Sequence, residues 1–177
     1  ARLEDVFTAV EAAKLISVPS KTWRGGYDKW TSERIGIQRR IWRSIVDAFE
    51  AYSALRNAGV AGDDDLFGIM CAVNSDHIWA EFADENFSGV WRSFLERRLE
   101  RVLTSIRLVG VKNDALEISN TYNKPLKLKA SWDGKALDVL LMPGINRMGI
   151  KGRALRIYLK GWRREYDIIK PVMFNEG

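Results

Sequence analysis

The sequence predicts an α+β fold, because the spacing of its apolar residues changes once along the chain. Up to about residue 105 apolar residues recur every three to four positions, as on the buried side of a helix. After that point they alternate with polar residues, as in strands with one face against a core. Asp133-Gly134 between two alternating runs is typical of a β-hairpin. We expect a single domain, 1–177, mainly helical at 1–105 and mainly antiparallel β at 106–177.

Four helical segments are expected in the first part. The first begins near Leu3 and ends before Pro19, because the residue preceding a proline disfavours the α conformation. The second spans about Glu33 to Asn57 and ends at Asn-Ala-Gly. The third begins at three aspartates, which suit a helix N-terminus, and Ser88 is expected to cap the fourth. The apolar stripe of the second helix consists of Ile35, Trp42, Ile45, Phe49 and Tyr52.

Strands are expected in the second part. The alternating runs 126–132, 137–141 and 155–160 are the clearest, and 115–119 and 167–174 are weaker candidates, with Pro171 suited to an edge strand. Segment 143–152 is Gly-rich and carries Ile145 and Met148. It is predicted either as a long hairpin connection or as a loop that contacts another subunit or a membrane.

Composition excludes several classes of function. A single cysteine, Cys71, excludes a disulfide within the chain, and with one histidine, His77, no zinc site built from several such ligands can form. No catalytic, metal-binding or cofactor-binding motif has the required spacing, and Asp63, Asp64 and Asp65 are explained by a helix cap. With neither a signal peptide nor a stretch of ~20 apolar residues, we expect a reducing compartment, cytoplasm or nucleus, or a virion.

Charge is segregated along the chain, whose net charge is +5. The acidic block, residues 63–85, contains no Lys or Arg, and the basic block, residues 147–164, contains no acid. If the leucines of 126–132 and 155–160 face the core, the period of two directs the intervening cations and Tyr158 outward. A second mixture of aromatic and basic residues occupies segment 21–30. Both are combinations that hold single-stranded nucleic acid. An ordinary solvated basic face is the somewhat more common explanation of the sheet, and burial of Trp23 and Trp30 against the core is the alternative for segment 21–30.

The candidate nucleic-acid-binding residues come from both regions. They are Trp23, Arg24, Trp30, Lys127, Lys129, Arg147, Lys151, Arg153, Arg156, Tyr158, Lys160, Arg163 and Arg164. The hypothesis requires these cations to gather on one exposed surface rather than pair within their own chain.

Unlike charged patches on one chain favour head-to-tail contacts between copies. The sequence therefore favours a non-enzymatic structural protein, of viral nucleocapsid or coat type, that forms homo-oligomers and binds nucleic acid, RNA in preference to DNA. One alternative is an RNA-binding regulator such as a silencing suppressor. Another is a matrix-type peripheral protein that binds an anionic membrane through its basic sheet and segment 143–152.

Overall fold

The computed structural model describes residues 36–73, 85–112, 115–132, 135–149 and 154–173. These residues form three helices followed by seven strands, so the fold is α+β as predicted. The helices are α1 (Gly36–Asn57), α2 (Asp63–Ala72) and α3 (Glu85–Thr104). The strands are β1 (Ile106–Lys112), β2 (Ala115–Asn120), β3 (Leu126–Trp132), β4 (Lys135–Leu141), β5 (Gly144–Gly149), β6 (Ala154–Lys160) and β7 (Glu165–Met173). The helix predicted from Leu3 lies outside the described residues.

The strands form two antiparallel sheets. The three-stranded sheet has the order β1-β2-β5, and the four-stranded sheet has the order β4-β3-β6-β7. The predicted hairpin is confirmed, since β3 pairs with β4 from Trp132–Lys135 to Leu126–Leu141. Pro171 lies in the edge strand β7, between Ile169 and Val172, where the register of pairing with β6 shifts, as suits a residue without an N–H.

Strand β5 corrects the expectation that segment 143–152 is a connection. Its backbone pairs with β2 along the whole strand, from Gly144 opposite Asn120 to Gly149 opposite Ala115. The sequence shows no alternation here because the outward Ile145 is apolar and exposed, whereas polar Asn146 is half-buried. An apolar residue on the solvent face and a polar one on the inner face remove the pattern by which a strand is recognised.

One hydrophobic cluster joins the three helices to both sheets. Its α1 side differs from the predicted stripe, because Trp42 and Phe49 are 37% and 40% exposed. Three of the nine residues that α1 buries are alanines, which contribute little to an apolar pattern but let a neighbouring helix approach closely. The alanines in the cluster from this region are Ala48, Ala51, Ala54 and Ala58.

The three aspartates at 63–65 serve the helix start, as predicted. Asp65 is fully buried, and its carboxylate accepts a hydrogen bond from Gly62 N at 2.9 Å and two from the Arg98 guanidinium at 2.9 Å each. This ion pair joins α2 to α3. Within the described residues no group of His, Cys, Asp and Glu is arranged to hold a metal ion. The Ser88 cap is wrong, since α3 already begins at Glu85 and the buried Ser88 hydroxyl donates back to Glu85 O at 3.3 Å.

Candidate nucleic-acid interface

The outer face of the four-stranded sheet carries the cations that the alternating pattern directs there. Leu126 and Leu128 are buried, while the intervening Lys127 is exposed and Lys129 is half-buried. On β6, Leu155, Ile157 and Leu159 face the core in the same way. The prediction of which strand residues face inward is therefore confirmed.

Two of these cations are paired with acids of their own sheet. Lys129 Nζ lies 2.5 Å from Asp138 Oδ1 on the adjacent strand β4, and this hydrogen bond raises the pKa of Lys129. Arg156 bridges two acids of β7, with Glu165 at 2.6 Å and Asp167 at 2.5 Å, and these bonds raise its pKa as well. The partners come from β4 and β7, not from the acidic block. This part of the face is an alternation of unlike charges rather than a basic surface.

Tyr158 lies on this outer face but is not open to a stacking base. It is only 7% exposed, and the Arg156 guanidinium covers its ring at 4.4 Å from the centroid. The period of two gives the direction of a side chain but not what neighbouring side chains place above it. In this conformation Tyr158 has no open ring face for a base, and its role in binding stays a prediction.

Arg147 lies away from these residues, on β5 of the three-stranded sheet. Its guanidinium is paired with Glu117 of β2, at 2.8 Å. The predicted site residues thus divide between two sheets, and the expected gathering of all cations on one surface is not observed. Five predicted site residues lie outside the described residues, namely Trp23, Arg24, Trp30, Lys151 and Arg153.

A cleft forms where the end of α1 meets β3 and β6, and Lys127, Lys129 and Lys160 all line it. Its volume is about 390 Å³. The pairing of strands β3 and β6 ends at Lys129 and Tyr158, and beyond that pair Lys127 and Lys160 line the cleft from the two strands. Neither of these two side chains has an ion-pair partner among the residues that the structure describes. We refer to this site as the lysine cleft.

Helix α1 is joined to the walls of the lysine cleft by hydrogen bonds. The backbone N–H of Lys127 donates to Ala58 O at 3.0 Å, and Asn57 Nδ2 donates to Lys160 O at 2.7 Å. Gly59 has a φ of 77°, a left-handed conformation that favours glycine after the last turn of a helix. The helix end and the two strands therefore hold the lysine backbones in a fixed relation.

The turn between β6 and β7 is held against α1 by a buried carboxylate. Glu50 is 3% exposed and accepts hydrogen bonds from Arg163 N at 2.8 Å and Arg164 N at 3.1 Å. A Cβ at Gly161 would collide with Glu50 Oε1, so a larger residue there would displace the carboxylate from the turn. These contacts fix the turn that presents Trp162, Arg163 and Arg164 to solvent.

Trp162 is the aromatic side chain that this turn exposes, and the sequence reasoning did not select it. It is 49% exposed, packs edge-on against Phe49 at 5.2 Å, and carries the Arg163 guanidinium 4.0 Å from its ring centroid. The signal was available as Gly-Trp-Arg-Arg between two strand patterns in the basic block. Arg164 turns the other way, and its Nε donates to the Tyr166 hydroxyl at 2.7 Å.

No protein-family model matches the chain, and no curated protein matches its sequence. Among the described segments there is no helix with the length and apolar character needed to cross a bilayer. The chemistry of the site therefore has to be inferred from its own residues.

The lysine cleft and the Trp162 turn are consecutive in the chain, since Lys160 ends β6 and Gly161 begins the turn. Together they offer two lysines without an acidic partner in the described structure and a half-exposed indole with a guanidinium over it. Ammonium groups bind phosphates as point charges, and an exposed indole offers a face or edge to a planar ring.

Proposed function

We propose that this domain is a non-enzymatic, self-associating protein that binds single-stranded nucleic acid, RNA in preference to DNA, in the manner of a nucleocapsid or coat protein. The observation that carries the binding proposal is the half-exposed Trp162 two residues after Lys160, which lines the lysine cleft. The protein is proposed to act in a reducing compartment, the cytoplasm or nucleus, or in a virion.

Backbone phosphates are proposed to occupy the lysine cleft. Lys127 and Lys160 have no competing acid among the described residues, whereas Lys129 is already neutralised by Asp138. Each lysine that neutralises a phosphate releases a condensed counterion, so two such contacts give a salt dependence of slope about −1.4 on a log–log plot for a single strand.

A base is proposed to stack at the Trp162 turn. The Glu50 carboxylate holds the turn backbone, so less side-chain and backbone freedom remains to be lost on binding. The Arg163 guanidinium lies over the indole, in one of the positions that a stacked base would take. A guanidinium stacks on a planar base just as it stacks on an indole ring. Exchange of the guanidinium for a base, or a base above both, is compatible with this geometry.

Self-association is supported by the outer side of α2. Leu66, Phe67, Met70 and Val73 are each 45% to 60% exposed there, and the exposed Asp63 and Asp64 lie at its N-terminal end. An apolar face bordered by acids fits a second copy that presents its lysine-rich side, the head-to-tail contact expected of unlike patches.

The test of the binding proposal is a tryptophan-fluorescence titration with a single-stranded RNA oligonucleotide at several salt concentrations. We expect Trp162→Ala to weaken affinity by about tenfold, the loss associated with one stacked base. Trp42→Ala is the matched control. Trp42 on α1 has an exposed fraction similar to that of Trp162, but it lies two helical turns from Phe49, the residue against which Trp162 packs. Equal loss in both variants, or no dependence of affinity on salt, would contradict the proposal.

The assembly proposal has its own test. Light scattering over a concentration series, with and without RNA, is expected to show species larger than a dimer, and Phe67→Ser is expected to reduce them. A protein that stays monomeric but binds RNA would instead support the regulator alternative. Flotation with anionic liposomes in place of RNA would support the matrix-type alternative.

A further inference from the structure

A second cleft lies between α1 and α3, distinct from the lysine cleft. Its volume is about 440 Å³. From α3 it is lined by positions three or four residues apart on one face of the helix, and from α1 by Ser44. Four of the side chains that line the cleft carry hydrogen-bond donors, namely Ser44, Arg92, Ser93 and Arg97.

Arg92 is held at this cleft with part of its donor capacity unused. Its Nη1 lies 3.3 Å from the Ser44 hydroxyl, which fixes the guanidinium between the two helices. Its Nε is shielded from solvent and has no hydrogen-bond acceptor within the described part of the chain. Glu96 approaches this nitrogen only to 3.6 Å, beyond hydrogen-bonding distance. A buried N–H of a charged group without an acceptor is costly. Because this nitrogen is closed to solvent, an oxyanion would relieve that cost only after the guanidinium turns toward the cleft.

The charges around the cleft are positive on balance. Arg97 is exposed and forms no ion pair with another described residue. Glu85, which also lines the cleft, is occupied by Arg40, whose Nε lies 2.7 Å from Glu85 Oε2. With Arg92 near Glu96, the three arginines and two glutamates sum to one positive charge.

We propose that this cleft binds a phosphate-sized oxyanion between Arg92 and Arg97. A tetrahedral oxyanion has acceptors enough for a guanidinium fork on each side and for the Ser44 and Ser93 hydroxyls. The oxyanion is either free phosphate or a backbone phosphate of a nucleic acid. The inference rests on the residues of this cleft and not on the function proposed above.

The test is isothermal titration of the purified full chain with inorganic phosphate at constant ionic strength, followed by the RNA oligonucleotide. We expect Arg97→Gln to weaken binding of the oxyanion about tenfold, as for loss of one charge-assisted pair. Ser93→Ala, which removes a neutral hydroxyl without changing the charge, should weaken it about threefold. Arg101→Gln is the control, because Arg101 is exposed one turn further along α3 and does not line the cleft.

The two titrants identify the source of the oxyanion. Loss of phosphate affinity in Arg97→Gln supports a site for free phosphate. Loss of oligonucleotide affinity alone supports a site for backbone phosphate. If neither titrant distinguishes Arg97→Gln from Arg101→Gln, the proposal is overturned. Because none of these variants changes Trp162 or the lysine cleft, failure here is separable from failure of the proposed function.

Discussion

The middle of the four-stranded sheet and its end beside α1 carry the same kinds of cation but differ in their partners. In the middle, Lys129 and Arg156 are paired with Asp138, Glu165 and Asp167. At the end, the α1 groups bond to the strand backbone, as Asn57 does to Lys160 O, and form no ion pair with Lys127 or Lys160. The ammonium groups of Lys127 and Lys160 therefore have no ion-pair partner among the described residues, whereas Lys129 and Arg156 are paired.

The difference teaches that exposure and availability are separate properties of a surface cation. A strand pattern fixes exposure, because successive side chains alternate between faces. Whether such a cation is free to bind a ligand depends on the residue directly opposite it on the neighbouring strand. That residue belongs to another segment of the chain, so the local pattern does not reveal it. The three predictions below test this comparison, from the largest expected effect to the smallest.

The largest effect is expected from Gly161→Ala, because it disturbs the Glu50 contact that holds the turn between β6 and β7 against α1. The added Cβ collides with Glu50 Oε1, so the turn must leave the carboxylate that binds Arg163 N and Arg164 N. We expect a loss of about 2 kcal/mol in the free energy of unfolding, typical of forced overpacking, measured by urea denaturation. Gly110→Ala is the control, since a Cβ there has no neighbour within 4 Å. A stable Gly161→Ala protein would show that the Glu50 contact is dispensable.

A smaller effect is expected when the lysine cleft loses its charge. The double variant Lys127→Gln with Lys160→Gln should weaken RNA binding about tenfold and reduce the magnitude of the salt slope by about 1.4. Arg147→Gln, which changes a cation already paired with Glu117, is the comparison and should change affinity little. Equal losses in the two proteins would mean that net charge, not availability, controls binding. Affinity is read from fluorescence titrations at matched salt.

The smallest effect is expected from freeing a paired cation. Asp138→Asn removes the acid that holds Lys129, while leaving a side chain of the same size. Lys129 also lines the lysine cleft, so we expect RNA affinity to rise about threefold, consistent with one exposed charge near a binding site. Asp64→Asn, an exposed change on α2, removes the same charge elsewhere and should leave affinity nearly unchanged. A rise of equal size in both variants would refute a local role for Asp138.

Much of the fold was predictable because it follows local patterns. The helix containing Leu95, Leu99 and Val102 and the hairpin around Asp133-Gly134 were predicted from spacing and turn chemistry alone. The alanine-rich contact of α1 was not, because small residues weaken the apolar signal while tightening the packing. Strand β5 was missed because the apolar Ile145 lies on its exposed side and the polar Asn146 on its inner side, which interrupts the alternation typical of a strand.

The candidate site was less predictable, because its properties depend on pairs of residues far apart in the chain. Glu50 looks like a solvent-side helix residue, yet its partners are backbone N–H groups more than one hundred positions later. Tyr158 looks like an exposed strand aromatic, yet Arg156 covers it. Trp162 looks like one more turn residue, and only its contact with Phe49 shows where its ring lies. Local periodicity carries none of this information.

The attachment of α1 to the sheet divides the helix into two dynamic halves. Its second half is anchored through Glu50, Asn57 and Ala58, whereas Ile41 and Ile45 in its first half form a separate small cluster. Amide hydrogens of the second half should therefore exchange with solvent only when the β6–β7 region opens, while the first half, which contacts α3 through Arg40 and Ser44, should open with that helix. Occupation of the lysine cleft would then slow exchange in one half of a continuous helix and leave the other unchanged.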